Sequence, residues 1–471
     1  MYVLTASQMQ AADRAAIAAG FPSLLLMENA AYALLRHLER TFPDLARQRI
    51  AIFCGKGNNG ADGLALARLL QIHHRPPALR IYCPFSPDQL SPDGHAQLPM
   101  LSALGLTVEP SFALDLAATT LAIDALLGTG TAGPPRAPLA SWIETINALP
   151  LAHRCAVDTP SGLGSPLAVR ADSTVTFAAP KLDQVLAEDP ASLGQFTIAP
   201  IGIPDAFLRA AVHLTEPSDF APALGPRARN SHKGFHGHVA ILGGASGKNG
   251  ALNLAGLAAL RAGAGFVTLY SPDPTFRPHL PDLMHSPWSP DLSRATVLAI
   301  GPGLGLHHNL DLHADPRPQV LDADALNQSA PWTQVVPPGL TRILTPHPKE
   351  MSRLLGRPLA DPLTDATHFA QQFGVTLVLK SHRTLIAFPD GEVWINPTGS
   401  PALAKAGSGD ILTGMLAALL SQTPAHPRAA TLAAVYLHGL CGELAATHEH
   451  ERCSTASGLL AYLPEAFRRA A

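Results

Sequence analysis

Residues 49–63 read R-I-A-I-F-C-G-K-G-N-N-G-A-D-G. Arg49 to Cys54 is a short apolar run and predicts a strand buried on both faces. Gly55 to Gly63 is glycine-rich, and Leu64 to Gln71 after it predicts a helix. Strand, glycine turn and helix in succession lay out a phosphate site in a doubly wound parallel sheet. The glycines do not fall as G-x-G-x-x-G, so the ordinary dinucleotide fingerprint is absent. An Asn-Gly turn would explain Asn59-Gly60 alone but leaves Asp62 without a reason.

The pattern recurs outward from this stretch. Helices are predicted upstream over Ser7 to Ala19, with Ser7 as cap, and over Pro22 to Leu38. Downstream, Arg80 to Pro84 predicts a second strand. Thr120 to Ala125 predicts a third, which carries Asp124 and runs into L-L-G-T-G-T-A-G-P-P. Ala152 to Asp158 predicts a fourth, followed by T-P-S-G-L. Open α/β sheets bind ligands at the carboxyl ends of their strands. Asn59, Asp124, Asp158 and Ser161 are therefore expected to converge as a cation-and-substrate site. Taken singly, each acid also reads as a helix cap.

Periodicity stops over Thr215 to Asn230, where proline and glycine dominate, and a domain boundary is expected there. Beyond it strands and helices alternate again. Strands are predicted at His238–Leu242, Phe266–Tyr270, Thr296–Ile300, Arg342–Leu344 and Thr376–Lys380, with a hairpin around Pro389-Asp390-Gly391. Ala406 to Gly414, A-G-S-G-D-I-L-T-G, is a glycine loop opening a helix. Backbone N–H groups at such a start suit an anion. Asp410 would repel that anion, so either it is a general base for an attacking hydroxyl or it only caps the helix. His347, between prolines at a strand end, is a candidate ligand contact or a cap for the helix Met351–Leu355.

A chain of 471 residues is too long for one core, and two domains of about 200–250 residues fit better. Hydrophobic content of 47% against 15% charged describes a packed globular protein. A net charge of −3 offers no surface for nucleic acid or an anionic membrane. Five scattered cysteines without metal-ligand spacing read as reduced thiols of a cytoplasmic protein. No apolar run reaches the roughly 18 residues of a membrane span. Of the 21 histidines, none stands in H-E-x-x-H or beside a cysteine partner, so a structural metal is not expected.

The motifs, taken together, resemble a known family. N-N-G-A-D-G at Asn58, D-A-L-L-G-T-G at Asp124 and V-D-T-P-S-G-L at Val157 resemble the NAD(P)H-hydrate epimerase (YjeF N-terminal) domain. S-H-K-G at Ser231, G-P-G-L-G at Gly301, D-A-D-A-L at Asp322, T-P-H-P-x-E at Thr345 and N-P-T-G…G-S-G-D at 396–410 resemble the ADP-dependent NAD(P)H-hydrate dehydratase domain. The resemblance implies an α/β protein with a Rossmann-like three-layer domain over 1–217 and a ribokinase-like domain over 222–471. It implies a bifunctional, homo-oligomeric repair enzyme acting on NADHX and NADPHX. The first half would epimerise the R and S hydrates; the second would use ADP to return the S hydrate to NAD(P)H, releasing AMP and phosphate.

Carried over by motif, Asn58, Asn59, Gly60, Ala61, Asp62, Gly128, Thr129, Gly130, Thr131, Ala132, Gly133, Pro134 and Asp158 would hold the hydrate in the first site. Asp158 would be its acid/base group. Asn59, Asp124 and Ser161 would bind K+. In the second site Ala251, Gly303, His347 and Asp410 would contact the hydrate, with Asp410 as catalytic base. Lys380, Ser381, His382, Arg383, Thr384, Gly407, Ser408 and Gly409 would contact ADP, which brings Mg2+. Ala61, Lys349, Ser381 and Ala406 depart from the family pattern. Alanine fits at 61 and 406 provided neither residue is left-handed. Two other readings stand beside this one: a vitamin-precursor kinase fused to a binding module, and a non-catalytic first half. Retention of Asp124, Asp158 and Ser161 argues against the latter.

Overall fold

The computed structural model describes residues 1–112, 116–130, 133–150, 152–288, 291–306 and 315–470. These form two compact units, Tyr2–Ala210 and Ala211–Ala471, the second also taking Met1.

Among the described residues of the first unit, seven strands form one sheet: β1 (Arg49–Cys54), β2 (Ala78–Tyr82), β3 (Val108–Glu109), β4 (Leu121–Ala125), β5 (His153–Val157), β6 (Ser173–Phe177) and β7 (Gln195–Ala199). Their order is β3-β2-β1-β4-β5-β6-β7, and every pairing is parallel. The order reverses between β1 and β4, so the crevice at their carboxyl ends is the switch point of a doubly wound sheet. Both faces are covered. Ile50, Ile52 and Cys54 pack with Leu34, Leu64, Leu66 and Leu101, residues of helices on one face. Ala51 and Phe53 pack with Trp142, Ile143 and Ile146 of the helix Leu139–Ala148 on the other. Strands β6 and β7, S-T-V-T-F and Q-F-T-I-A, escaped the sequence reading. Their threonines blur the apolar pattern, although β-branched residues suit strands.

The second unit holds β8 (Val212–Leu214), β9 (His238–Leu242), β10 (Phe266–Ser271), β11 (Met284–Pro287), β12 (Val297–Ile300), β13 (Gln319–Leu321), β14 (Arg342–Leu344), β15 (Thr376–Leu379), β16 (Leu385–Ala387) and β17 (Val393–Ile395). The order is β11-β10-β9-β12-β13-β14-β15-β16-β17-β8. Pairings from β11 to β15 are parallel; β15-β16-β17 is the antiparallel stretch expected around Pro389-Asp390-Gly391. The switch point lies between β9 and β12. Helices Asn249–Arg261 and Ser408–Gln422 cross so closely that a Cβ on Gly414 would come within 2.1 Å of the Ala255 carbonyl oxygen. The helix Pro427–His448 is long and apolar enough to cross a membrane by composition, but 83% of its apolar window is buried inside this unit.

The units divide between Ala210 and Ala211, before the proline-rich stretch expected to hold the boundary. β8 pairs in parallel with β17, and Phe220 is fully buried in the second core, so the chain enters the second fold well before residue 222.

Candidate functional site

Each unit gathers chemistry at its own switch point. In the first, the helix Asn58–His73 starts immediately after Gly57, so N-N-G-A-D-G forms its opening turns instead of a loop before it. Glycine weakens a helix, but here contact requires it. A Cβ on Gly60 would lie 1.9 Å from the Gly55 carbonyl oxygen, and one on Gly63 would lie 2.7 Å from Ala125 Cβ. Ala61 is helical and Ala406 is absent from the left-handed residues, so alanine fits at both positions.

A cavity of about 490 Å³ opens above these strand ends. Asn58, Asn59, Ala61, Asp62, Gly128, Thr129, Gly130 and Asp158 all line it, with Asp13 and Lys181. Gly60 is packed beneath it. Gly133 and Pro134 are not among its walls, and Thr131 and Ala132 lie outside the described residues.

Below the cavity, Asp124 is 0% exposed at the end of β4. Its Oδ2 accepts from Ser161 N at 2.7 Å and its Oδ1 from Ser161 Oγ at 2.6 Å. Ser161 Oγ accepts from Leu127 N at 2.8 Å, and Asn59 Nδ2 donates to Leu127 O at 3.1 Å. The three expected cation ligands thus share one loop. Burial raises the Asp124 carboxyl to about 6, against hydrogen bonds from Ser161 and Leu126. Asn59 Oδ1 is buried without a hydrogen-bond partner.

Asp158 follows β5 with φ +61°, in the left-handed region. Its Oδ1 accepts from Lys181 Nζ at 2.5 Å, Thr176 Oγ1 at 3.0 Å and Phe177 N at 3.2 Å. Lys181 is 1% exposed, and its ammonium also donates to Thr176 Oγ1 and Phe177 O. Burial drives the Asp62 carboxyl well above the usual carboxylate range, helped by Asp158, Asp13 and Asp93 and opposed by Lys181.

In the second unit the helix Ser408–Gln422 begins at S-G-D, with Gly407 as N-cap at φ +92°. No side chain caps it; Ser408 N donates to Lys405 O at 3.3 Å, and the N–H groups of Gly409 and Asp410 follow it in the first turn. A Cβ on Gly409 would lie 3.5 Å from Lys380 Nζ and 3.7 Å from Asp322 Oδ2, which brings strand-end and helix-start groups together. Asp322 is 1% exposed and accepts from Lys380 Nζ at 2.7 Å, Thr345 Oγ1 at 2.8 Å and Thr413 Oγ1 at 3.0 Å. Burial pushes its carboxyl up, but Lys380 and these hydrogen bonds outweigh it, leaving the net shift downward. Asp410 goes the other way. Burial raises it to about 7, Asp322 and Asp324 add to this, and Lys380 opposes.

Gly303, at φ +59°, faces Ala251: a Cβ there would lie 3.3 Å from Ala251 Cβ and 2.7 Å from the Lys248 carbonyl oxygen. His347 caps the helix Pro348–Leu355, its Nδ1 accepting from Lys349 N at 3.1 Å and Glu350 N at 3.3 Å. Its Nε2 lies 3.6 Å from Glu350 Oε1. Ser381 to Thr384 form a turn after β15, closed by Ser381 Oγ donating to Arg383 O at 2.7 Å. His382 is exposed, while Arg383 turns inward and donates to Pro397 O.

Residues 239–465 match the family model described as NAD(P)H-hydrate dehydratase, and residues 23–182 match the YjeF-related protein N-terminus. A bifunctional NAD(P)H-hydrate repair enzyme of Moorella thermoacetica is 38% identical over 520 residues, covering 99% of this chain and 97% of its own. One of Coxiella burnetii is 34% identical, covering 97% of each. The chain belongs to the bifunctional NAD(P)H-hydrate repair enzymes. The second unit of this repair enzyme is also similar to a solved structure, the ADP/ATP-dependent NAD(P)H-hydrate dehydratase of Bacillus subtilis co-crystallised with ATP and Mg2+. The two are 34% identical with a TM-score of 0.51, over 55% of this chain and 99% of that one.

Some groups in this repair enzyme were not given roles from sequence. Lys181 follows β6, a strand not recognised in advance, so its approach to Asp158 was invisible. Asp322 lies in the quoted D-A-D-A-L motif, but its pairing with Lys380 spans 58 residues. His438, buried in an Ala/Leu helix, bonds Ser408 Oγ through Nε2 at 3.2 Å, and burial holds its pKa down to about 4. A lone histidine in such a helix gives no sequence signal.

Proposed function

We propose that the first unit interconverts the R and S hydrates of NADH and NADPH, and that the second dehydrates the S hydrate using ADP. The observation that carries this reading is Asp410. It sits in the first turn of an uncapped helix, makes no hydrogen bond among the described residues, and is raised to about 7. A carboxylate poised near neutrality in the first turn of a helix suits a general base next to a phosphoryl site.

Hydroxide leaves poorly and phosphate leaves well. Asp410 would take the proton of the C6 hydroxyl as that oxygen attacks the terminal phosphorus of ADP. The bond to AMP breaks, and the amides after Gly407 hold the transferring group. The ring nitrogen then expels phosphate from C6, and loss of a C5 proton gives NAD(P)H. Ala251, Gly303 and His347 would frame the hydrate; Lys380, the 381–384 turn and Gly407 to Gly409 would frame the nucleotide. Of the nearby acids, Asp322 is held by Lys380 and two threonines, and Asp324 by Lys248 and Gly305 N. Mg2+ would therefore arrive with the phosphates, in keeping with its preference for few protein ligands.

In the first unit, Asn59, Asp124 and Ser161 would hold K+. The fit rests on the buried Asn59 Oδ1, which lacks a partner, and on an all-oxygen donor set. The cation would neutralise buried Asp124. Asp158 would exchange a proton with the C6 hydroxyl, within walls supplied by Asn58 to Asp62 and the loop from Gly128. The single chain would serve both reactions as a homo-oligomer in the cytoplasm.

The test is incubation of the full chain with separated NADHX epimers and ADP, in potassium and in choline buffers. Recovery of nicotinamide absorbance with one AMP per NADH supports the reading. A stable phosphorylated product without NADH would replace it with a kinase.

A further inference from the structure

Ring-opening epimerisation needs two proton transfers, one at the C6 oxygen and one at the ring nitrogen. Asp158 supplies one group. The helix Ala6–Ala18 brings another acid to the same cavity. Met9, Gln10, Asp13 and Ile17 all line it, and their spacing places them along one helical face.

That helix is fixed in place. Thr5 caps it, accepting from Gln8 N, while Gln8 Oε1 accepts from Thr5 N at 2.8 Å. One residue earlier, Leu4 N donates to Pro180 O at 3.1 Å and Leu182 N donates to Leu4 O at 2.9 Å. The two bonds straddle Lys181, so the start of the Asp13 helix is fastened to the segment that holds Asp158. At the other wall, a Cβ on Gly130 would lie 3.5 Å from Gln10 Nε2, so the same helical face overlies the loop after β4.

The two carboxyls stand in different surroundings. Asp158 Oδ1 accepts three hydrogen bonds, including one from an ammonium, the pattern of an acceptor-only carboxylate. Asp13 makes no hydrogen bond among the described residues. Burial lifts it to about 6; Lys181 opposes this, the Asp158 charge adds to it, and Arg14 on its own helix opposes. Asp62 from the helix Asn58–His73 also faces it, and burial keeps that carboxyl well above the usual range. In one cavity, a carboxyl held by three donors and a carboxyl with none are placed to divide into a base and an acid.

We propose that Asp13 is the second catalytic residue of the first site, exchanging a proton with the ring nitrogen while Asp158 exchanges one with the C6 hydroxyl. The assignment rests on the epimerase reading above. Asp158 takes the hydroxyl proton, the electron pair left on oxygen forms the second C6–O bond of the aldehyde, and the N1–C6 bond breaks. Its electron pair returns to N1, which takes the proton of Asp13. Rotation presents the other face of the aldehyde. N1 attacks it, returns its proton to Asp13, and the oxygen takes back the proton from Asp158. The cycle ends with both carboxyls as they began and needs no co-reactant.

The full-length chain with D13N is compared with wild type, following R to S conversion of NADHX by chromatography from pH 5 to 9 without ADP. An amide keeps the shape but neither gives nor takes the proton. D13N is expected to lose about 10²–10⁴ in kcat, and D13E to recover part of it. In wild type, ring opening should slow as pH rises through about 6, because the acid form of Asp13 is lost; that limb should vanish in D13N. ADP-dependent dehydration of the S epimer by the same D13N chain should be unchanged, and denaturant unfolding of the first unit should keep its wild-type midpoint, which together show that both units are folded. Turnover within about twofold of wild type, or a raised KM at unchanged kcat, overturns the assignment alone. A wild type that does not interconvert the epimers overturns the epimerase reading and, with it, this one.

Discussion

Both units place a lysine against an aspartate at the carboxyl ends of their sheet strands, but they use the pair differently. Lys181 pairs with Asp158, the group expected to move a proton. Lys380 pairs with Asp322 and leaves Asp410, the expected base, without a hydrogen bond. The ammonium orients Asp158, whereas burial, with Asp322 and Asp324 nearby, raises Asp410 to about 7 against the pull of Lys380. The residue types are the same, and what differs is which aspartate the lysine holds. A site for reversible proton exchange and a site for a base that must stay poised near pH 7 can thus be built from the same parts.

The comparison breaks first if the two units are not separable. A fragment 222–471 lacks β8 and Phe220, whereas 211–471 keeps both. Loss of a fully buried phenylalanine alone typically costs about 3–5 kcal/mol, before the strand ladder is counted. Equilibrium denaturation should find 211–471 folded and 222–471 severely destabilised or insoluble. Equal stability would show that the edge strand contributes little.

Next is D410N, expected to lower ADP-dependent dehydration by about 10²–10⁴ and to leave epimerisation untouched. Asparagine keeps the shape of aspartate without its basicity, so near-normal turnover would remove Asp410 from the proton transfer. In wild type, kcat/KM should rise with pH through about 7, because the base form appears above the pKa; D410N should lack that rise.

The lysines sharpen the contrast. K181M strands Asp158 beside a buried apolar chain, and removing one partner of a buried pair costs about 3–5 kcal/mol. Denaturant unfolding of the first unit should show this loss together with slower epimerisation. K380M should instead move the dehydration pH profile upward, since Lys380 now holds the Asp410 pKa down. A profile that stays in place would remove Lys380 from the account.

The smallest effect is at His347. H347A removes a helix cap worth about 1 kcal/mol, readable as a small drop in melting temperature. If the ring also meets the hydrate, KM should rise beyond what that drop explains.

Much of this was legible from the chain. The parallel, doubly wound plan followed from apolar strands, glycine turns and helices in succession, and the convergence of Asn59, Asp124 and Ser161 followed from the rule that such sheets bind at strand ends. The boundary was not legible, because V-H-L is too short to declare itself a strand without β17 beside it. Nor was it legible that N-N-G-A-D-G is helical: local propensity argues for a turn, and contact between Gly60 and the Gly55 carbonyl decides otherwise.

The sequence by itself determined which residue types are present, in what order, and at which strand ends they fall, since these depend on local pattern and on a chain that packs only a few ways. Tertiary structure alone decided which lysine meets which aspartate, where Asp13 faces, and that Asp410 caps nothing. Those pairings join residues tens to hundreds of positions apart, and burial and Coulomb coupling act through space, so proton affinity is a property of the packed neighbourhood and is written in no single stretch of chain.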